Sequence, residues 1–119
     1  MSEPGAIDQA RFAALLESVQ GDRVFLAELM DTFLAEAPNL LAAMRQALAR
    51  QDAAGLRLAA HSLKSNSRDF GAVSLAGLCL ELEMMGKAGT LAGAAEKLAQ
   101  AEVEYDRVRA ALEALRSAE

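Results

Sequence analysis

The chain of 119 residues carries a net charge of −5, and 53% of its residues are apolar. This length supports one hydrophobic core, and the acidic balance argues against a nucleic-acid surface, which needs a basic excess. The single cysteine excludes an internal disulfide and a cysteine-pair metal site, and no apolar run approaches the length of a membrane span. We therefore expect one cytoplasmic domain over residues 1–119 that contacts neither nucleic acid nor membrane.

The first two predicted elements are helices that begin at aspartate caps. Asp8 caps a short helix over residues 8–20, which carries apolar residues at helical spacing. Asp22 caps a long segment with the same periodicity, which reaches residue 50. Pro38 lies inside this segment, and because proline lacks an N–H and clashes with the preceding turn, it should kink the helix or divide it in two.

Three further helices are predicted after the long segment. The third begins at Asp52 and ends near Gly71, the fourth covers about residues 72–85, and the fifth covers about residues 90–117. A turn is predicted at residues 86–89, where two glycines stand close together.

The fold follows from the order and spacing of these elements. The chain is poor in the β-branched and aromatic residues that strands favour, so we expect no sheet. Short connections between amphipathic helices make neighbouring helices antiparallel. The predicted fold is therefore all-α: an antiparallel up-down four-helix bundle over residues 22–117 with a short extra N-terminal helix.

The one histidine, His61, is predicted to lie on the exposed side of the third helix. On a helical wheel it falls about 140° from Leu56, which marks the apolar stripe. Arg57, Lys64 and Arg68 lie beside it at the spacings at which helix side chains touch. A solvated histidine on an ordinary charged face would give the same pattern. The wheel alone therefore leaves open both an anion-handling role and a plain surface role.

Two short motifs that suggest nucleotide chemistry lack their structural context. Asp69-Phe70-Gly71 spells the metal-binding triplet of protein kinases, but no glycine-rich loop, strand lysine or catalytic loop accompanies it. Gly86-Lys87 has neither the spacing nor the preceding strand of a phosphate loop. A single histidine also provides no convincing Ser/His/Asp triad and no Glu-x-x-His metal site. We therefore expect no ATP site, no autokinase activity, no metal and no cofactor.

A series of residues from His61 onward has a specific spacing. The series consists of His61, Leu63, Lys64, Gly71, Ala72, Leu75, Cys79, Leu82 and Glu83. Two upstream stretches, residues 25–29 and 33–38, add the pattern of a preceding helix. Together these features closely resemble histidine-containing phosphotransfer (HPt) domains, and the resemblance covers the chain from about residue 22 onward.

The resemblance implies that His61 is the phosphorylated nucleophile. An imidazole is mostly neutral at pH 7, so a ring nitrogen is free to attack phosphorus. Lys64, one turn away, would stabilise the charge of the bound phosphoryl group, and Glu83 would reach His61 from the neighbouring helix as a hydrogen-bond partner. Gly71 would end the helix in a left-handed conformation. Ser65 stands where the family most often has glycine, and as a small residue it should keep the imidazole accessible.

A partner would dock on the surface around His61. Arg57 and Arg68 would either steer an acidic receiver site or merely balance the charge of the helix. Exposed apolar residues near the site would form a docking patch, unless the N-terminal helix covers some of them. The residues of this patch are Leu58, Val73, Leu80 and Met84.

The resemblance implies a carrier in a multistep His–Asp phosphorelay of the bacterial type. His61 would accept a phosphoryl group from the aspartyl-phosphate of a response-regulator receiver domain, including that of a hybrid histidine kinase, and pass it to another receiver. The receiver would supply the acidic pocket and its Mg²⁺, and the carrier would be a monomer. Two alternatives stay open: a non-phosphorylated regulatory or scaffold bundle that binds a kinase or receiver, and a metal- or haem-binding bundle.

Overall fold

The computed structural model describes residues 5–117, so residues 1–4 and 118–119 of the predicted domain lie outside the described part. This part contains five α-helices and no strand, which confirms the predicted all-α fold. The helices are α1 (Gln9–Ser18), α2 (Arg23–Ala49), α3 (Ala53–Asp69), α4 (Val73–Ala88) and α5 (Ala94–Ser117). Between residues 5 and 117, no helix is both long and apolar enough to cross a membrane.

Aspartate side chains start the first three helices. Each carboxylate accepts a hydrogen bond from a backbone N–H that the helix itself leaves unpaired. The three pairs, at 2.9–3.0 Å, are Asp8 with Arg11, Asp22 with Phe25, and Asp52 with Gly55. The helix starts predicted from these caps are confirmed.

The four long helices form a closed bundle. Helices α2 and α4 each pack against both α3 and α5, and α1 contacts α3 from outside this ring. Two ion pairs show that α5 runs back along α2: Arg45 pairs with Glu102 at 2.7 Å, and Asp31 pairs with Arg116 at 2.8 Å. The pairing of early α2 with late α5 is the antiparallel order expected for an up-down bundle.

The core is built from one apolar stripe on each helix. The stripe that Leu56 marks on α3 is confirmed: its buried residues are Leu56, Ala59, Ala60, Leu63 and Ser67, and the buried Phe70 continues it just after the helix. The rings of Phe33, Phe70 and Tyr105 join α2, the end of α3 and α5, with centroids 5.2 and 6.1 Å apart. Cys79 of α4 is fully buried, and burial raises the pKa of its thiol to about 12. The thiol therefore stays protonated and unreactive.

Pro38 does not divide α2, so of the two outcomes expected at this proline, a kink or a division, the division is wrong. The helix runs without a break from Arg23 to Ala49, with Pro38 inside it. Proline lacks the N–H that would bond to the carbonyl of Leu34, four residues earlier. The hydroxyl of Tyr105 on α5 instead donates to this carbonyl at 3.4 Å. The core contacts of the buried Ala37 and Leu41, on either side of the proline, also hold the helix together.

Helix α4 is longer than predicted. It continues to Ala88, so the turn predicted at residues 86–89 is wrong, and the left-handed residue that ends the helix is Gly89, with φ 74°. The reason lies in the packing of α3 over α4. A Cβ on Gly86 would lie 2.7 Å from the carbonyl oxygen of Ala53, so glycine serves helix contact here and not a turn.

Helix α5 is correspondingly shorter than predicted. It begins at Ala94 and not at residue 90. Gly93, with φ 86°, has a left-handed conformation that a right-handed helix does not include. Leu91 precedes the helix, where its carbonyl accepts from the N–H of Ala94 at 3.0 Å. Leu91, the first apolar residue of the predicted fifth helix, therefore lies in the turn before α5.

The buried hydroxyl of Ser67 should lower the stability of the core. It is fully buried on α3 and has no hydrogen-bond partner among residues 5–117. A buried polar group without a partner costs about 1–3 kcal/mol, and alanine is also the better helix former. Replacing Ser67 by Ala should therefore raise the free energy of unfolding by about 1 kcal/mol, measured by urea denaturation.

Ser62→Ala is the matched control for this experiment. Ser62 lies on the exposed side of the same helix, so its replacement should gain only the difference in helix propensity, about 0.5 kcal/mol. If Ser67→Ala were less stable than the wild type, the buried hydroxyl would have to be hydrogen-bonded, and the prediction would be wrong.

Candidate functional site

His61 lies in the middle of α3 on the side away from the core. The buried residues Ala60 and Leu63 fix the rotation of the helix, because they must face α2, α4 and α5. This rotation turns the imidazole outward, and 59% of the His61 side chain is exposed. The histidine is therefore accessible to a macromolecular partner.

Glu83 of α4 contacts two side chains of α3. Its Oε2 lies 2.8 Å from Nδ1 of His61, and its Oε1 lies 2.7 Å from Nζ of Lys64. The hydrogen bond from Lys64, together with that from His61, lowers the pKa of Glu83 although partial burial opposes this. The carboxylate is therefore ionised at neutral pH.

Lys64 lies in a different place from the one that the sequence suggested. The helical wheel grouped it with exposed cations beside His61, whereas only 13% of its side chain is exposed. Its position on α3 falls between His61 and the apolar stripe, on the side that packs against α4. The aliphatic stem is therefore largely buried, and the ammonium group reaches Glu83 of α4.

Two glycines bring α3 and α4 into this arrangement. Gly86 lies one turn after Glu83, and a Cβ there would lie 2.8 Å from the backbone nitrogen of Arg57. Gly71 follows the end of α3 with φ 80°, and its carbonyl accepts from the N–H of Asp8 at 2.8 Å. Gly71 thus reverses the chain toward α4 and joins α1 to this end of the hairpin, while Gly86 lets the two backbones approach closely.

On the other side of His61, an open groove of about 560 Å³ lies between α2 and α3. Besides His61, its lining consists of Glu36, Asn39 and Leu40 from α2, and Ser62, Ser65 and Asn66 from α3. Ser65 is half-buried there, so its small side chain leaves the edge of the imidazole open. The α2 residues of this groove were not among the residues predicted for the site. The feature of the sequence that indicates these residues is their position at the edge of the apolar stripe of α2.

The four apolar residues predicted for docking are all exposed, so α1 does not cover them. Leu58 lies one turn before His61 on α3, and Leu80 and Met84 lie on either side of Glu83 along α4. Val73 lies about 15 Å from Glu83 along the same helix, at the far edge of the patch.

Two exposed arginines lie on the same helix as His61. Arg57 and Arg68 of α3 are exposed, one before and one after His61 in the chain. In the part of the chain that the structure describes, no three His, Cys, Asp or Glu side chains come together in a way that could hold a metal ion. The charged and titratable groups in direct contact with one another at the site are the imidazole of His61, the carboxylate of Glu83 and the ammonium group of Lys64.

The contacts of Glu83 should make part of the stability depend on pH. Because the folded state lowers the pKa of this carboxyl, its contribution is complete above the usual glutamate value of about 4.3 and is lost as the pH falls through the lowered value. The wild type should therefore be more stable than Glu83→Gln at neutral pH, and the difference should shrink below about pH 4. Urea denaturation of both proteins across this range measures it. A difference that stays constant down to acid pH would contradict the prediction.

Comparison with known proteins identifies the family of this chain. The family model of the Hpt domain matches residues 28–118. The crystal structure of histidine-containing phosphotransfer protein B (HptB) from Pseudomonas aeruginosa PAO1 is similar with a TM-score of 0.87 and 35% sequence identity, over 99% of each chain. A search of curated proteins found no match. The chain therefore belongs to the Hpt domain family, whose members are phosphocarriers that work with receiver domains in phosphorelays.

Proposed function

We propose that the chain carries a phosphoryl group on His61 between two receiver domains. The group would come from the aspartyl-phosphate of one response-regulator receiver, free or part of a hybrid histidine kinase, and would pass to the aspartate of another. One observation carries this proposal: an exposed imidazole whose Nδ1 lies 2.8 Å from the Glu83 carboxylate. Membership of the Hpt domain family supports it.

The contact with Glu83 selects the reactive nitrogen of His61. An ionised carboxylate can only accept hydrogen bonds, so Nδ1 carries the ring proton and its N–H donates a hydrogen bond to Oε2 of Glu83. In this tautomer the lone pair of the ring resides on Nε2. We infer that Nε2 is the nucleophile and that Glu83 fixes both the tautomer and the orientation of the ring.

The transfer then needs no additional proton donor or acceptor. Nε2 attacks phosphorus, the bond between phosphorus and the aspartate oxygen breaks, and its electron pair leaves with the carboxylate of the receiver. The ring gains a positive charge, which the nearby Glu83 carboxylate balances. In the second transfer the new aspartate attacks phosphorus, and the electron pair of the broken P–N bond returns to Nε2.

The remaining residues would support access and docking. Lys64 would stabilise the negative oxygens of the transferred group, and the small Ser65 would keep the imidazole accessible. Arg57 and Arg68 would steer the acidic receiver site toward His61. The exposed apolar residues Leu58, Leu80 and Met84 would form a transient interface around His61, with Val73 at its far edge.

The proposal includes the setting in which the carrier works. The chain would act as one domain in the cytoplasm. It would be a monomer, because the surface around His61 must stay free for each receiver in turn. It would use no cofactor of its own and no ATP. The receiver would supply the acidic pocket and its Mg²⁺.

Incubation with a receiver that carries a radiolabelled aspartyl-phosphate tests the proposal. The label should move to this chain within minutes, and it should be labile in acid and stable in base, as a phosphoramidate is. A purely regulatory or scaffold bundle would bind the receiver and acquire no label. Absence of label with the whole set of receivers from the source organism would overturn the proposal.

A further inference from the structure

The carboxylate of Glu83 has two partners, and only one of them is the histidine. Lys64 Nζ lies 2.7 Å from Oε1 while His61 Nδ1 lies 2.8 Å from Oε2. Both Lys64 and Glu83 are mostly buried, with 13% and 16% of their side chains exposed. Water and salt screen such a pair less than an ion pair on the surface. The ammonium group therefore lies between α3 and α4 in an ion pair that solvent screens only in part.

A phosphoryl group on His61 would compete with Glu83 for this ammonium group. It would bring roughly two negative charges to a point one helical turn from Lys64. The ammonium group is a single point charge on a flexible stem, so moving toward the phosphoryl oxygens weakens its contact with Glu83. The unphosphorylated state contains the complete ion pair, and the phosphorylated state must give up part of it.

We propose that Glu83 is a positioning residue that holds Lys64 back from the phosphoryl group and so limits how stably His61 retains that group. This inference rests on the proposed function. The consequence is a carrier that keeps its phosphoryl group easy to hand on. Because the pKa of Glu83 is lowered, the competition persists throughout the neutral pH range.

Glu83→Gln tests this proposal with little change in shape. The amide oxygen of glutamine still accepts from His61 Nδ1, and the amide NH₂ group then faces Lys64 and repels its ammonium group. Lys64 is released and can bind the phosphoryl oxygens. At equilibrium with a phosphorylated receiver, the ratio of phosphorylated to unphosphorylated carrier should rise about five- to tenfold.

A double-mutant cycle with Lys64→Met shows whether the effect passes through the lysine. Methionine keeps an unbranched apolar side chain and removes the charge. If Glu83 acts through Lys64, Glu83→Gln should raise the ratio only where Lys64 is present. In the Lys64→Met background the loss of the carboxylate that balances the ring cation acts alone, so the ratio should not rise. An equal rise in both backgrounds would mean that Glu83 acts directly on the ring or the phosphoryl group, and the proposal would be wrong.

NMR of the lysine ammonium groups provides a second measurement that does not depend on labelling of the Lys64→Met variant. The Lys64 ammonium signal should shift when the wild type is phosphorylated. In unphosphorylated Glu83→Gln, the hydrogens of this group should exchange faster with water. A Lys64 signal that shifts equally on phosphorylation of the wild type and of Glu83→Gln would mean that the carboxylate does not hold the ammonium group back, and the proposal would be wrong.

Glu81→Gln is the matched control. It makes the same change on the same helix and removes an ion pair of similar length, 2.9 Å to Lys97 of α5. It should leave the phosphorylation ratio unchanged, and an equal rise would mean that net charge alone is responsible. If the wild type itself acquired no label, the proposed function would fail; a labelled wild type with no response to Glu83→Gln would overturn this inference alone.

Discussion

Replacing His61 by Gln should reduce phosphoryl labelling of the chain to background and leave the fold intact. The side-chain amide of glutamine has no nucleophilic lone pair, so the phosphoryl group of a receiver has no acceptor at this position. The amide NH₂ group still donates a hydrogen bond to Glu83. Since the His61 side chain is 59% exposed, the free energy of unfolding should change by no more than about 0.5 kcal/mol. Transfer of label from a phosphorylated receiver and urea denaturation measure the two effects.

The composition of the chain makes this result easy to interpret. His61 is the only histidine among the 119 residues, so a phosphohistidine can form nowhere else in the chain. Residual label on His61→Gln that is labile in acid and stable in base would therefore have no histidine to account for it. If such label persisted at the level of the wild type, His61 would not be the acceptor.

Replacing Gly86 by Ala should destabilise the protein and slow phosphoryl transfer together. The new Cβ would lie 2.7 Å from the carbonyl oxygen of Ala53 and 2.8 Å from the backbone nitrogen of Arg57. Both atoms belong to the backbone, so α4 must move away from α3. Overpacking of this kind costs about 1–3 kcal/mol, which exceeds the gain of about 0.5–1 kcal/mol from replacing a helical glycine. The same movement lengthens the contact between Glu83 and His61, which should lower the transfer rate.

Gly77→Ala separates helix propensity from crowding. Gly77 belongs to the same helix, and a Cβ there would meet no atom within 4 Å. This control should gain about 0.5–1 kcal/mol in the free energy of unfolding. Chemical denaturation and single-turnover transfer rates of the two variants give the comparison. The prediction is wrong if Gly86→Ala is as stable as Gly77→Ala and transfers at the rate of the wild type.

The parts of the fold that follow local rules could be predicted from the sequence. Helix starts at Asp8, Asp22 and Asp52 depend on a short side chain that caps the next turn, which is visible in the sequence. The exposed position of His61 follows from the period of the apolar stripe, with Leu63 fully buried two residues later. These features need no knowledge of the neighbouring helices.

The parts that depend on the distance between helices could not be predicted. Glycine is a poor helix former, so a local rule assigns Gly86 to a turn, but the close contact with α3 keeps it inside α4. The burial of Lys64 has the same origin. A wheel places it beside His61, and only the approach of α4 shows that its ammonium group is bound to Glu83 and is not free in solvent.

The hydrogen bond from Tyr105 to the carbonyl of Leu34 has a consequence for how this sequence can evolve. Pro38 leaves that carbonyl without an N–H from its own helix, and the Tyr105 hydroxyl lies at 3.4 Å as its donor. Loss of the hydroxyl would be tolerated more easily in a descendant that has already lost the proline, because the helix would then supply its own donor. The order in which the two positions mutate therefore matters, and relatives without the proline should accept phenylalanine in place of the tyrosine more readily.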